Sequence, residues 1–515
     1  MNARLPHTGI DAEDEEKAYD DAPYESNPFA HTQPARLAAV AHLFGLNPAA
    51  VGTARVLELG CASGGNLVPL AVHFPQARFV GIDISGKQIA DGQALVARLG
   101  LQNIELRHLD IQALTPEDGQ FDYIVCHGIY SWVPAPVRDA ILRVCSENLA
   151  DDGVAFVSYN TLPGWHYVQP MRDMMLYWTQ DITAPQQKVT AALELLAQLK
   201  DVSEDVSGNL YRKEWDMLKD ASASYILHDH LEQTNAPCYF KDFAAHAQRH
   251  GLAYLSDIAF RSHSPLNITP LMTDLADRYA GGDIVRAEQL LDFMRRRRFR
   301  ESLLVKQSRQ QRIDRCAPMA RLDALHFRLF QRFTKDPMPP ARMTATWWHS
   351  KKAVFRLGAT TVEPDTRAQS FALDWLTEHA STASTFTLEE LVAYAIANGE
   401  TPAQARDDIR MLLWDLLATS ALRAMSCAVQ APIPKIPGDM PAATPLARAA
   451  AAMDNSSTAN VFHERVRLSE SQRRLLLLLD GTRNAAAVAD ALGEGATEEA
   501  VRTDIATLAD LHVLC

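Results

Sequence analysis

Between Ala54 and about Ser158 the apolar positions fall into short β-branched runs: RVLELG, RFVGIDIS, IELRHLD, FDYIVCHG and GVAFVSY. Between them, apolar residues recur at helical spacing, as in SGKQIADGQALVARLG. The runs read as buried strands and the intervening stretches as amphipathic helices. Strands alternating with helices imply parallel strands joined by right-handed crossovers, so the pattern predicts an α/β fold on a doubly wound sheet. Ahead of the sheet, YDDAPYESNPFAHTQPARLAAVAHLFGL predicts a Pro-punctuated extended lid and then a helix from about Ala35 to Phe44.

Beyond Tyr159 the pattern changes. Pro163, Gly164 and Pro170 interrupt the chain, and long helical stretches such as VTAALELLAQLKD follow, which predicts a mainly helical middle domain over 171–316. KDPMPPARMT and the residues to 365 read as a linker. Two units of three helices follow, 366–430 and 431–515, separated by the Pro-rich APIPKIPGDMPAATP. Three helices closed by a short hairpin-like end resemble a winged helix in each unit. The expected domains are therefore 1–50 (lid and helix), 51–170 (sheet domain), 171–316, 317–365, 366–430 and 431–515.

A chain of 515 residues exceeds what one core holds, which agrees with this division. A formal charge of −13 excludes a protein whose main task is to coat nucleic acid or an acidic membrane. The C-terminal units, with 12 Lys/Arg against 19 Asp/Glu from Arg367 onward, lack the basic footprint of a DNA-binding winged helix and point to protein docking. The seven cysteines are scattered without a Cys-x-x-Cys pair, as in a reducing cytosol. The acidic start MNARLPHTGIDAEDEEKAYDD does not read as a secretion signal, and no apolar run approaches the ~20 residues of a membrane span. A cytoplasmic protein without membrane insertion is expected.

The chemistry begins at VLELGCASGGN, a glycine-rich turn from strand to helix that lets backbone approach a ligand beside a helix N-terminus. Asp83, ending the second strand in GIDIS, stands at the spacing where an acid reaches a ribose diol. Asp110 ends the third strand. Acids at the ends of three successive strands, Glu58, Asp83 and Asp110, make this segment resemble the class I S-adenosylmethionine-dependent methyltransferases. The resemblance implies a Rossmann-like domain with S-adenosylmethionine as cofactor. It implies Asp83 on the ribose hydroxyls, Asp110 on the adenine amino group, Gly60 and Gly64 along the methionine portion, and Ile84 and Ile111 sandwiching the adenine. One departure is Ala62, where many members carry a glycine.

VCHGIYSWVP, at the end of the fourth strand, lies where this fold brings the acceptor to the methyl donor. Tyr130 and Trp132 are the expected aromatic walls, Tyr159 shares their rim, and Tyr24 with Ser26 would close over the acceptor from the lid. His127 is expected beside the cofactor, as a proton acceptor or a packing residue. These motifs, with YNTLPGW and YILHDHLEQTNAPCYFKDFAAHAQRHGLAYL, resemble the bacterial methyltransferases that carry a regulatory domain and a winged-helix C-terminal region. That group includes rickettsial-type protein lysine methyltransferases acting on outer-membrane proteins. The resemblance implies lysine N-methylation of a protein, a surface or outer-membrane protein among the admitted acceptors, and it leaves a homodimer open. A small-molecule N/O-methyltransferase and a non-catalytic S-adenosylmethionine-sensing scaffold remain as alternatives. No metal is expected: His228 and His230 in YILHDHLEQ point to different faces of a helix. The run MRRRRFRES reads as ion-pair partners for the acidic remainder or as an anion-binding groove.

Overall fold

In the computed structural model the described residues are 26–202, 206–232, 234–258, 269–316, 318–329, 333–335, 354–357, 360–380, 385–418, 422–425, 439–493 and 495–514. Strands β1 (Arg55–Leu59), β2 (Arg78–Asp83), β3 (Ile104–His108), β4 (Phe121–Cys126) and β5 (Leu149–Leu162) form the expected parallel sheet. Val56, Leu57 and Leu59 are inaccessible, as are Tyr123, Ile124 and Cys126, because helices cover both faces. The helix Gly86–Leu99 starts where Ser85 accepts a hydrogen bond from Gln88 N–H and stops at Gly100 in the left-handed region.

The expected boundary at 170 is corrected. After the two-residue strand β6 (Cys238–Tyr239) come β7 (Leu252–Asp257) and β8 (Phe299–Lys306), and the sheet order is β3-β2-β1-β4-β5-β8-β7. β8 runs antiparallel to both neighbours. The middle segment is therefore a helical insertion between β5 and the last two strands of the same sheet. Helices Gln169–Trp178, Pro185–Leu199, Val206–Leu218 and Ala223–His230 make that insertion, around Trp165, Met171, Met175, Leu196 and Ile226.

β8 is pinned by Arg300, which has no solvent exposure. Its guanidinium pairs with Asp292 at 2.8 Å, Glu288 at 2.8 Å and Asp257 at 3.0 Å. Arg297 pairs with Asp257 and Arg298 with Glu214. The arginine run thus supplies ion pairs within the fold.

The helix Pro34–Leu43 is almost wholly buried, with Leu37, Ala39, Ala41 and Leu43 inaccessible. In the first C-terminal unit, His326–Leu329 lies between Phe386–Thr387 and Leu422–Met425 in an antiparallel sheet. The stretch taken as linker supplies that central strand, which corrects the boundary at 366. The second unit places the hairpin Ser457–Ala459/Arg465–Arg467 between its first helix, Pro445–Ala452, and the three expected helices Glu470–Leu478, Ala485–Leu492 and Glu498–Asp510.

Candidate active site

The turn after β1 is held in conformations that glycine favours: Gly60 at φ 71°, Gly64 at φ 76° and, between them, Ala62 at φ 49°. Ala62 keeps the left-handed conformation although it carries a Cβ, at a cost of roughly 1–2 kcal/mol. Its N–H donates to Asp83 Oδ2 at 2.8 Å, and Ser85 N–H donates to Asp83 Oδ1 at 2.9 Å. Asp83 is thus fixed at the end of β2, and burial raises its pKa despite these bonds. Ile84 lies half-buried beside it, and its carbonyl sits 2.8 Å from His108 Nε2. Asp110 accepts from Gln112 N–H at 2.8 Å, capping a short 3₁₀ turn that contains the buried Ile111.

Beneath the turn, Glu58 is buried, and desolvation pushes its carboxyl up to about 8. Asn66 Nδ2 donates to its Oε1 at 2.8 Å, while Oε2 has no hydrogen-bond partner among the described residues. A buried acceptor without a donor is costly unless a ligand or water satisfies it. Asn66 Oδ1 accepts from Phe29 N–H at 2.9 Å and Ser26 Oγ accepts from Gly65 N–H at 2.7 Å, so the N-terminal segment lies directly on the turn. A Cβ on Gly65 would come within 2.4 Å of the Ser26 carbonyl, which explains the second glycine of the pair.

At the end of β4, His127 Nδ1 is 3.0 Å from Ser158 Oγ, which also accepts from Gly128 N–H at 2.8 Å. Around the imidazole stand the rings of Phe29 at 4.3 Å, His31 at 4.7 Å and Phe299 at 6.3 Å. His31 Nε2 lies 3.1 Å from Glu301 Oε1. One side-chain polar atom from each of His31, His127 and Glu301 lies within 4.8 Å of the other two. Burial lowers the His127 pKa to about 4, and burial, then the neighbouring cationic groups, lowers that of His31. Burial raises Glu301 to about 7, against the opposing pull of Arg36. Near neutrality the cluster is two neutral imidazoles beside a carboxyl poised between its two forms, with Phe299 40% exposed at its rim.

Three expected acceptor-site residues lie elsewhere. Side chains alternate along β5, so Ser158 and Asn160 face the cluster while Tyr159 points to the opposite face. There its ring stacks on Phe243 at 3.9 Å and its hydroxyl meets Ser302 Oγ at 3.0 Å. Tyr130 packs against Phe243 with its hydroxyl 2.7 Å from His246 Nδ1, and it is 3% exposed. Trp132, half-buried, meets Trp165 edge-to-face at 6.2 Å against the core of the helical insertion. These rings join the sheet to the middle segment. Tyr24 lies outside the described residues. Phe29, His31, Phe299, Glu301 and Asn66 were missed. The signal available for two of them was the alternation Phe299–Glu301 on a strand, hidden by taking that segment as helical.

Three family models match the chain: a methyltransferase domain over 56–153, a "Predicted methyltransferase regulatory domain" over 222–306, and "PKMT, C-terminal winged helix domain" over 439–507. The uncharacterized protein RP028 of Rickettsia prowazekii (strain Madrid E) is 37% identical over 235 residues, which are 45% of this chain and 94% of that protein. The chain belongs to the S-adenosylmethionine-dependent methyltransferases with regulatory and winged-helix domains. The methyltransferase is also 44% identical over 289 residues to the uncharacterized protein RP789 of the same organism, covering 56% of this chain and 52%, about half, of that relative. Its fold matches PKMT2 from Rickettsia typhi with a TM-score of 0.80 at 26% identity, covering 95% of this chain and 100% of that one; a second structure of PKMT2 is in complex with AdoHcy. No helix among the described residues of the methyltransferase is long and apolar enough to cross a membrane. Its glycine turn, with a buried Glu58 carboxyl oxygen that has no partner among the described residues and the Asp83 carboxyl fixed at the end of β2, fits a ligand carrying both an amino group and a diol, as S-adenosylmethionine does.

Proposed function

We propose that the methyltransferase modifies lysine side chains of a protein. The observation that carries this reading is the cluster of Glu301, His31 and His127 with Phe29 and Phe299 at the end of β4. Asp83 would hold the ribose and Glu58 the cationic methionine end, with Gly60 and Gly64 beneath and Ile84, Ile111 and Asp110 around the adenine. S-adenosylmethionine supplies an electrophilic methyl group on a sulfonium.

What the chain must supply is a neutral amine, since an ammonium nitrogen has no lone pair to attack with. Ionised Glu301 draws the lysine ammonium in, and the faces of Phe29 and Phe299 support it by cation–π contact. Burial among these rings disfavours the ammonium and favours the amine. Glu301, already raised to about 7, accepts the proton at Oε1 or Oε2. The nitrogen lone pair then forms the bond to the methyl carbon as the carbon–sulfur bond breaks, leaving a neutral thioether. Ser158 and Gly128 keep the His127 ring in place, and the N-terminal segment excludes water.

The likeness to PKMT2 and to the winged-helix family supports a protein acceptor for this chain, a surface or outer-membrane protein being the class we favour, with a cytoplasmic enzyme acting on it before export. Incubating unfolded surface proteins with the enzyme and methyl-labelled cofactor, followed by peptide mass spectrometry, tests this. Methyl-lysine in the peptides is expected; label confined to low-mass compounds would refute it.

A further inference from the structure

The second C-terminal unit reaches the cofactor turn through one side chain. In the loop of its hairpin, His463 is fully buried at φ 62°, and its Nε2 lies 2.7 Å from Asn66 Oδ1, across 397 positions of sequence. Asn66 is the residue that donates to Glu58 and accepts from Phe29. We propose that His463 is a positioning residue for cofactor binding: the winged-helix unit completes the turn by orienting the Asn66 amide, which in turn orients the Glu58 carboxylate and the N-terminal segment.

Four features support this. Glu58, buried with one oxygen unpartnered, needs its side chain held in one orientation to be of use to a ligand. Because Asn66 Oδ1 accepts the Phe29 N–H, its amide cannot flip without placing N–H against N–H; Nδ2 is thus aimed at Glu58, and the contact to Oδ1 assigns His463 Nε2 the donor role. The neighbours of His463 fix it firmly: Val461 and Phe462 belong to the main core, and Arg328 stacks over Phe462 at 3.6 Å while pairing with Glu464 at 2.7 Å. Lastly, Leu446 and Ala459 of the same unit pack on Val68, in the helix that follows the turn. Burial holds the His463 pKa down to about 3, so the contact persists unchanged across the physiological range.

The test is cofactor affinity, measured by calorimetry with S-adenosylhomocysteine on the full chain. His463→Ala is expected to weaken binding about three- to tenfold, the range of a lost buried hydrogen bond. KM for S-adenosylmethionine should rise alike while kcat at saturation holds. His463→Gln, which keeps an N–H donor, should recover most of the affinity. Val466→Ala, which loosens the same unit's own core, should leave affinity within about twofold. Unchanged affinity in folded His463→Ala, or equal losses in His463→Ala, His463→Gln and Val466→Ala, overturns the proposal. If His463→Ala does not fold, the comparison of His463→Gln with Val466→Ala decides. Reciprocity adds an independent readout: binding should slow amide exchange over 457–467 in the parent, and no change there also overturns it.

Discussion

Replacing Glu301 by glutamine keeps the size of the side chain and removes its charge. Glu301 ordinarily would titrate at 4.5 and here does so at about 7, with burial the main cause. The folded state binds this proton more tightly than the unfolded one. The associated stability is fully present below pH 4.5 and is lost as the pH rises through about 7. At about 1.4 kcal/mol per pH step, the ionised carboxylate costs the fold roughly 3 kcal/mol at pH 8 and roughly 1 kcal/mol at pH 5.5. Glutamine carries no such cost. Glu301→Gln should therefore be more stable than the parent at pH 8, with a gap that narrows by about 2 kcal/mol on going to pH 5.5. The buried imidazoles of His31 and His127 weaken both proteins toward acid and cancel in the difference to first order. Denaturant titration at a series of pH values measures the gap. Activity should move the other way: loss of a positioned base removes on the order of 10²-fold or more from kcat/KM, together with the rising limb near pH 7. A variant that keeps the parent's rate and pH profile, or a stability gap that does not vary with pH, refutes the role given to Glu301.

Asp83→Ala should weaken S-adenosylhomocysteine binding on the order of 10–100-fold, the range for hydrogen bonds to a charged group; calorimetry showing parental affinity would rule out its placement on the ribose. Tyr130→Phe deletes a buried hydroxyl contact with His246 and should cost about 1 kcal/mol of stability with kcat preserved; a tenfold drop in kcat at unchanged stability would return Tyr130 to the acceptor site. Arg300→Met removes the guanidinium that Glu288, Asp292 and Asp257 share in the core and should destabilise by about 3–5 kcal/mol; a loss below 1 kcal/mol by denaturant titration would contradict the network.

The cofactor side was legible because its signals are local. A strand, a glycine turn and an acid one strand later lie within 30 residues, and the turn dictates their geometry: Ala62 N–H meets Asp83 because both strands end at the same edge of the sheet. The His31–His127–Glu301 cluster was not legible because it is assembled from three distant segments. Phe29 and His31 precede β1, His127 follows β4, and Phe299 and Glu301 sit on β8, whose two-sided burial depends on neighbours that no window of sequence contains. In RRRRFRES the arginines obscure a strand alternation that sets Arg300 toward the helix Ile284–Arg295 and Phe299 and Glu301 toward the opposite face. Tyr130 and Tyr159 misled for a related reason. An aromatic residue past a strand end faces a pocket only when its side of the sheet is open, and here the helix Phe240–Arg249 covers that side through Phe243.

The segment that matches a regulatory-domain model ends at residue 306 and contains both β7 and β8. It therefore supplies two strands of the catalytic sheet and the only carboxylate of the His31–His127–Glu301 cluster. A unit built in this way is a poor candidate for an on–off appendage: removing it exposes the edge of β5 and deletes Glu301. β8 is gripped on one face by the Arg300 ion pairs, which are anchored on the helix Ile284–Arg295, while its other face presents Phe299 and Glu301 to His127 and His31. Arg300 alternates with Phe299 and Glu301 on one strand, so the ion pairs that hold Arg300 also fix where the His31–His127–Glu301 cluster receives its carboxylate.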